Sequence, residues 1–267
     1  VIIKSCVKIN GRGVVVNSAA FVLTGFVLFL STKLHAFGDE NVIFKPSKII
    51  GENNLEPVER IKGDELYQLV RAVAKYNLKR DRRCSATRVG PQLFITAHHC
   101  IEQDLRYCWM TLNYEFEMPY SDYVLLDCSG IEYMNQELDF ALIEVNDDPA
   151  LAEFPIIPIA QSGPALNDPL IISGFPKTTT YKQVDRSSDC KVVSVQAPGE
   201  LRFEHTCDTE SNSSGSGVIS RKLKALVGVH SGASFESNIA VPSNLILDDI
   251  AAQSPKTMGK LKILKGN

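Results

Sequence analysis

Leu93-Phe94-Ile95-Thr96-Ala97-His98-His99-Cys100 sets the reading of this chain. An apolar run follows the turn Arg88-Val89-Gly90-Pro91-Gln92 and leads straight into a threonine, two histidines and a cysteine. A buried strand that ends in chemically able side chains is how a β-framework presents a site. Outward from it, short runs rich in β-formers recur at residues 123–126, 140–145, 170–172 and 191–195. Residues 217–220 and 225–229 flank the polar Arg221-Lys222 and predict a hairpin. Many short strands parted by Gly, Pro, Asn and Asp turns predict an all-β sandwich or barrel. Residues 65–76 (ELYQLVRAVAKY) place apolar side chains at both helical and strand spacings, so periodicity does not choose between them. One helix is expected over about 243–252, capped by Ser243 or Asn244.

With 267 residues there is room for one large domain or two small fused ones. A hydrophobic content of 44% and a charged content of 22% suit a globular core. The net charge of -3 excludes a strongly basic nucleic-acid binder. Lys4, Lys8 and Arg12 precede an uncharged run over residues 13–32, and Ala36-Phe37-Gly38 follows Lys33. A basic start, an apolar stretch and a small-x-small site predict a signal peptide over 1–38, cut after Gly38. The alternative is an uncleaved anchor, since about 20 residues can just span a bilayer. Either way the expected location is secreted or periplasmic, with membrane contact only through this segment. Residues 39–48 read as a pro-segment, and 256–267 as a basic tail expected to be solvated.

Cys6 lies in the expected signal, leaving Cys84, Cys100, Cys108, Cys128, Cys190 and Cys207. An even set in an exported chain predicts three disulfides. Sequence neighbours suggest Cys84–Cys100, Cys108–Cys128 and Cys190–Cys207, with other connectivities open. No Cys-x-x-Cys pair or zinc-module spacing occurs, so no metal is expected, and nothing calls for a cofactor.

A serine hydroxyl attacks only with help: an imidazole base, a carboxylate to hold that imidazole, and amide donors for the oxyanion. The stretch from Phe94 to Cys100 resembles the histidine motif of trypsin-like serine proteases, where Thr-Ala-Ala-His-Cys follows a hydrophobic strand. Aligned on Thr96 and Cys100, it makes His99 the base and puts His98 at a usual alanine. Glu137-Leu138-Asp139-Phe140-Ala141-Leu142 is similar to the family's Asp-hydrophobic-Ala-Leu segment, implying Asp139 as the orienting carboxylate, with Glu137 its near competitor. Cys207 to Gly217 (CDTESNSSGSG) resembles the nucleophile loop of the glutamyl-endopeptidase-like (V8-like) branch and implies Ser214 as nucleophile. The three occur in the order His, Asp, Ser with family-like separations.

The resemblance implies two six-stranded antiparallel β-barrels of the chymotrypsin type over 49–255, with a short C-terminal helix. It also implies a monomeric endopeptidase acting on protein or peptide substrates through an acyl-enzyme. Asn212 stands where the family usually has glycine, in an oxyanion hole built from the amides of Asn212 and Ser214. Asparagine tolerates left-handed backbone at an extra cost of about 1 kcal/mol. Gly228-Val229-His230-Ser231-Gly232 resembles the strand lining the primary pocket, and Thr209 lies five residues before Ser214. His230 with Thr209 implies acidic P1 residues, although Asp208 and Glu210 would repel them if they faced the pocket. Lys48-Ile49-Ile50-Gly51 resembles an activation junction. The trypsin branch pairs the freed amine with an aspartate, but that position is Ser213 here. The amine must then dock elsewhere, or no cut is needed. One rival is a catalytically inactive homologue used for binding, which Asn212 favours. An α/β-hydrolase would need Gly-x-Ser-x-Gly and the order Ser, Asp, His, and has neither.

Overall fold

The computed structural model describes residues 47–79, 82–101, 105–195 and 199–266. The signal expected over 1–38 and pro-segment residues 39–46 lie outside them. The described chain enters through β1 (Glu56–Pro57), then α1 (Tyr67–Arg71) and β2 (Val73–Asn77). The ambiguous 65–76 stretch is thus both things. Its first half buries Leu69 and Val70 from one helical turn, and its second half sends Val73, Ala74 and Tyr76 inward from a strand.

Five further strands follow: β3 (Arg83–Arg88), β4 (Leu93–Thr96), β5 (Trp109–Leu112), β6 (Val124–Asn135) and β7 (Phe140–Val145). With β2 they close a barrel in the order β2-β3-β4-β7-β6-β5. Every neighbouring pair is antiparallel. Tyr76, Ala86, Phe94, Met110, Leu112 and Ile143 fill its interior.

The second half comprises β8 (Ile159–Ala160), β9 (Leu170–Gly174), β10 (Gln183–Asp185), β11 (Val192–Ser194), β12 (Phe203–His205), β13 (Gly217–Ser220), β14 (Ala225–Ala233) and β15 (Asn238–Pro242). The expected hairpin is β13–β14. The sheet runs β1-β10-β9-β13-β14-β15-β12-β11. Its far edge returns to β9 through a bridge between Pro169 and Lys191, flanked by Leu170 N–H to Cys190 O (2.9 Å) and Val192 N–H to Asp168 O (3.1 Å). The first barrel closes as the resemblance implied, whereas the second sheet is a half-barrel whose edges meet only at this bridge. Pro169 itself faces the other way, its carbonyl accepting from Arg221 N–H at 2.9 Å, so the N–H that proline lacks is not needed at this seam.

The helix α2 (Ser243–Gln253) lies where expected, but its cap does not. Pro242 takes the N-cap position, and the Ser243 hydroxyl instead donates to Ala160 O at 2.6 Å, tying the helix to β8. After α3 (Pro255–Met258), the tail adds β16 (Ile263–Leu264) in parallel to β8. Its lysine side chains stay exposed while its backbone pairs, and Lys260 reaches Glu132 and Glu144 at 2.7 and 3.1 Å. No described helix is long and apolar enough to cross a membrane.

The disulfides are Cys84–Cys100, Cys108–Cys128 and Cys190–Cys207. Each closes a short loop, worth about 3 kcal/mol through the unfolded chain. The helical arm is held to the domain by a buried charge cluster. Lys182 is fully buried, its Nζ donating to Val70 O at 3.2 Å and lying 3.9 Å from buried Glu115. The Tyr67 hydroxyl donates to Glu115 at 3.0 Å. Burial pushes the Lys182 ammonium down to about 8, against the opposing pull of Glu115. Glu115→Ala is expected to cost about 3–5 kcal/mol, because it strands a buried charge, whereas Glu115→Leu with Lys182→Met costs much less. Urea denaturation of the two variants checks this.

Candidate functional site

Strand register brings the first two groups together. Thr96 on β4 pairs with Ala141 on β7, so the chain leaving β4 and the chain entering β7 meet at one rim of the first barrel. A single 3-10 turn, His98–Cys100, then presents His99 there. The buried Asp139 carboxylate accepts from the His99 backbone N–H at 2.9 Å and lies 3.0 Å from its Nδ1. One carboxylate thus fixes both the backbone and the ring of His99. Asp139 has φ of +55°, a left-handed conformation that aspartate tolerates better than most residues. The competitor Glu137 is exposed to solvent, and His98 is only partly buried.

Ser214 sits in a tight loop closed by Ser213 N–H to Glu210 O and Ser216 N–H to Ser213 O, both 3.0 Å. Asn212 adopts φ of +77°, the left-handed backbone that a glycine would take, and Gly215 follows at +85°. At Gly215 no side chain fits, since a Cβ would collide with the Ser85 carbonyl and the Thr96 hydroxyl. Among the described residues, neither the Asn212 nor the Ser214 amide donates to a protein acceptor. The Ser214 hydroxyl points to Ser231 O at 3.5 Å, at the outer limit of a hydrogen bond, and one rotation about χ1 redirects it. His99, Asn212 and Ser214 line one cleft of about 190 Å³ with Leu78, Arg82, Arg83 and Cys84.

Ser85, which sequence reasoning missed, holds this loop to the first barrel. Its N–H donates to Ser214 O at 2.9 Å and its hydroxyl to Asn212 O at 3.3 Å. The hydroxyl also accepts from Phe175 N–H at 3.1 Å. A serine inside a strand carries no signal of such a role.

Thr209, His230 and Ser231 are all buried behind the loop. His230 Nε2 is hydrogen-bonded to the Ser47 hydroxyl at 2.7 Å, and its Nδ1 to His205 Nε2 at 3.2 Å. His205 was not anticipated. If His230 donates from Nε2, His205 must donate from its own Nε2, which leaves His205 Nδ1 as a bare acceptor. That nitrogen is the buried atom without a partner, and a lone pair is the cheaper group to leave so. Thr209 Oγ1 is likewise buried and unpartnered, while its N–H donates to Lys48 O at 3.2 Å.

The two carboxylates flanking Thr209 are engaged elsewhere. Asp208 accepts from the Ile50 and Asn54 amides at 2.6 and 2.7 Å, and Glu210 accepts from the Thr178 hydroxyl at 2.6 Å. Asp208 is thus the group that docks the arm beginning at Lys48, six residues before Ser214. Asn238 grips Lys48 itself, accepting from its N–H at 3.1 Å and donating to its carbonyl at 2.8 Å. Among the described residues no group of three or more His, Cys, Asp or Glu side chains is placed to hold a metal.

Burial pushes the His205 ring down to about 3, and burial followed by the neighbouring histidines pushes His230 well below its ordinary value. Both are therefore neutral in the fold but titrate near 6.5 once unfolded. The unfolded chain then binds more protons below that pH, so stability falls as pH drops from 6.5 towards 3. The expected slope is about 1.4 kcal/mol per pH unit for each histidine. Denaturation midpoints between pH 6.5 and 5 should decline less steeply in His205→Phe than in the wild type.

The Trypsin-like peptidase domain family model matches residues 84–229, more than half of the chain. No curated protein sequence matches significantly. The solved structure of a Glu endopeptidase in complex with MPD is similar, with a TM-score of 0.63 at 15% identity, covering 79% of this chain and 99% of that one. At that identity the likeness shows the fold alone, and it is the same fold. The chain belongs to the trypsin-like peptidase family and is a serine endopeptidase.

Proposed function

We propose that Ser214 is the nucleophile of this endopeptidase, with His99 its general base and Asp139 the carboxylate that orients His99. The observation carrying this reading is the double hold of Asp139 on His99, in a cleft shared with Ser214. Ser214 Oγ attacks the scissile carbonyl carbon and passes its proton to His99 Nε2. The oxyanion is received by the amides of Asn212 and Ser214. The C–N bond then breaks as His99 returns the proton to the leaving amine. Water, deprotonated by His99, hydrolyses the resulting ester. The left-handed Asn212 supports an oxyanion hole formed without glycine.

The pocket behind the loop favours an acidic P1 side chain. His230 Nε2 already engages an oxygen atom, that of Ser47, and Thr209 Oγ1 has no protein partner. Both can donate to a carboxylate that displaces Ser47. In this reading the uncut chain occupies its own pocket. Cleavage after Lys48 removes Ser47 from His230, while Asp208 keeps hold of the new start through Ile50. Export by the N-terminal signal fits the three disulfides, which accord with an extracellular protein.

A P1-varied peptide library should show cleavage after Glu or Asp. Ser214→Ala should reduce turnover by about 10⁴-fold or more. Cleavage chiefly after Arg or Lys would overturn the pocket assignment while leaving the triad intact. Mass spectrometry of the active species should find Ile49 at its start, and Lys48→Gln should leave an inactive, longer chain. An active form beginning at Asp39 would overturn the activation step.

A further inference from the structure

The cleft beside Ser214 has a basic wall that the mechanism does not use. It is lined by Leu78, Arg82, Arg83, Cys84, His99, Asn212 and Ser214, and shares none of the pocket residues Thr209, His230 and Ser231. A peptide bound across Ser214 places its P1 side chain in that pocket. The residues after the scissile bond must then leave on the opposite side, past His99, which protonates the departing amine. The cleft is on that side.

Strand geometry aims Arg83 into it. Residues two apart on a strand share a face, so Arg83 shares one with Ser85, whose N–H and hydroxyl bind the backbone of Ser214 and Asn212. Cross-strand pairing sets Lys75 opposite Ser85 and Asn77 opposite Arg83. Burial, and then the charge of Arg83, push the Lys75 ammonium down to about 8. The Arg82 guanidinium donates to the His99 carbonyl at 3.5 Å, at the edge of hydrogen-bond range. Lys75 and Lys79 lie over the rings of Tyr114 and Tyr107, at 4.0 and 4.6 Å, rather than against carboxylates.

We propose that Arg83 forms a subsite for an acidic side chain in the first two residues after the scissile bond. The subsite rests on the assignment of Ser214 as nucleophile. It predicts substrates that are acidic beyond the cut, independently of what fills the P1 pocket. A guanidinium presents paired N–H donors to a carboxylate, and Lys75 beyond it adds to the field.

The test uses the processed enzyme and peptides that share one optimal P1 residue but carry Asp, Ala or Lys at the first and second positions after it. The wild type should cleave the acidic peptides with kcat/KM about tenfold or more above the lysine peptides. That ratio should collapse towards one in Arg83→Ala and invert in Arg83→Glu. Because the readout is a ratio within each variant, a general loss of activity does not disturb it. A p-nitroanilide substrate, which has no residue beyond the cut, serves as the control on wild type. Turnover of it without an acidic preference, or a preference unchanged in Arg83→Glu, overturns the subsite. Absence of turnover on every substrate by the processed wild type overturns the nucleophile assignment instead.

Discussion

Ser85 is the point on which the site depends. His99 and Asp139 belong to the first barrel, and Ser214 to the second half. In the proposed mechanism a small displacement between them decides whether a proton can pass. Ser85 spans that gap with its backbone and its hydroxyl at once, gripping Ser214, Asn212 and Phe175 from the second strand of the first barrel. The neighbouring Cys84–Cys100 disulfide ties the same strand to the turn that presents His99. His99 and Ser214 are therefore positioned from one piece of backbone, which passes too close to Gly215 to admit a Cβ there.

The polar cluster behind the Ser214 loop, the proposed pocket, follows a different logic. It is lined by neutral polar groups that burial keeps uncharged, arranged so that one imidazole sets the tautomer of the next. Buried polar groups of this kind are costly unless satisfied. Here the chain satisfies His230 with its own Ser47, while Thr209 Oγ1 has no partner among the described residues. The charges that could spoil such a pocket are occupied elsewhere. Asp208 takes the amides of the incoming arm, and Glu210 takes a threonine on the facing loop.

Much of this was legible in the sequence where the signal is local. His99 stands out because its strand, threonine and cysteine are contiguous with it, and the Asn212 conformation follows from what asparagine tolerates. The strands around residues 140–145, 217–220 and 225–229, the hairpin and the final helix were legible for the same reason. Long-range partners were not. Ser85 is an ordinary strand serine until the loop 127 residues downstream lands on it. Asp208 reads as a pocket charge until the arm 158 residues upstream docks there. The helix cap failed in the same way, since Ser243 found a tertiary carbonyl instead of its own helix end. Residues 65–76 resisted reading because they contain two elements in one stretch.

The two halves also differ in how they close. The first is closed by continuous ladders on every side. The second sheet meets across its seam only at the bridge between Pro169 and Lys191. His99 and Asp139 sit on the barrel that closes all round, so the contact between them does not depend on that seam.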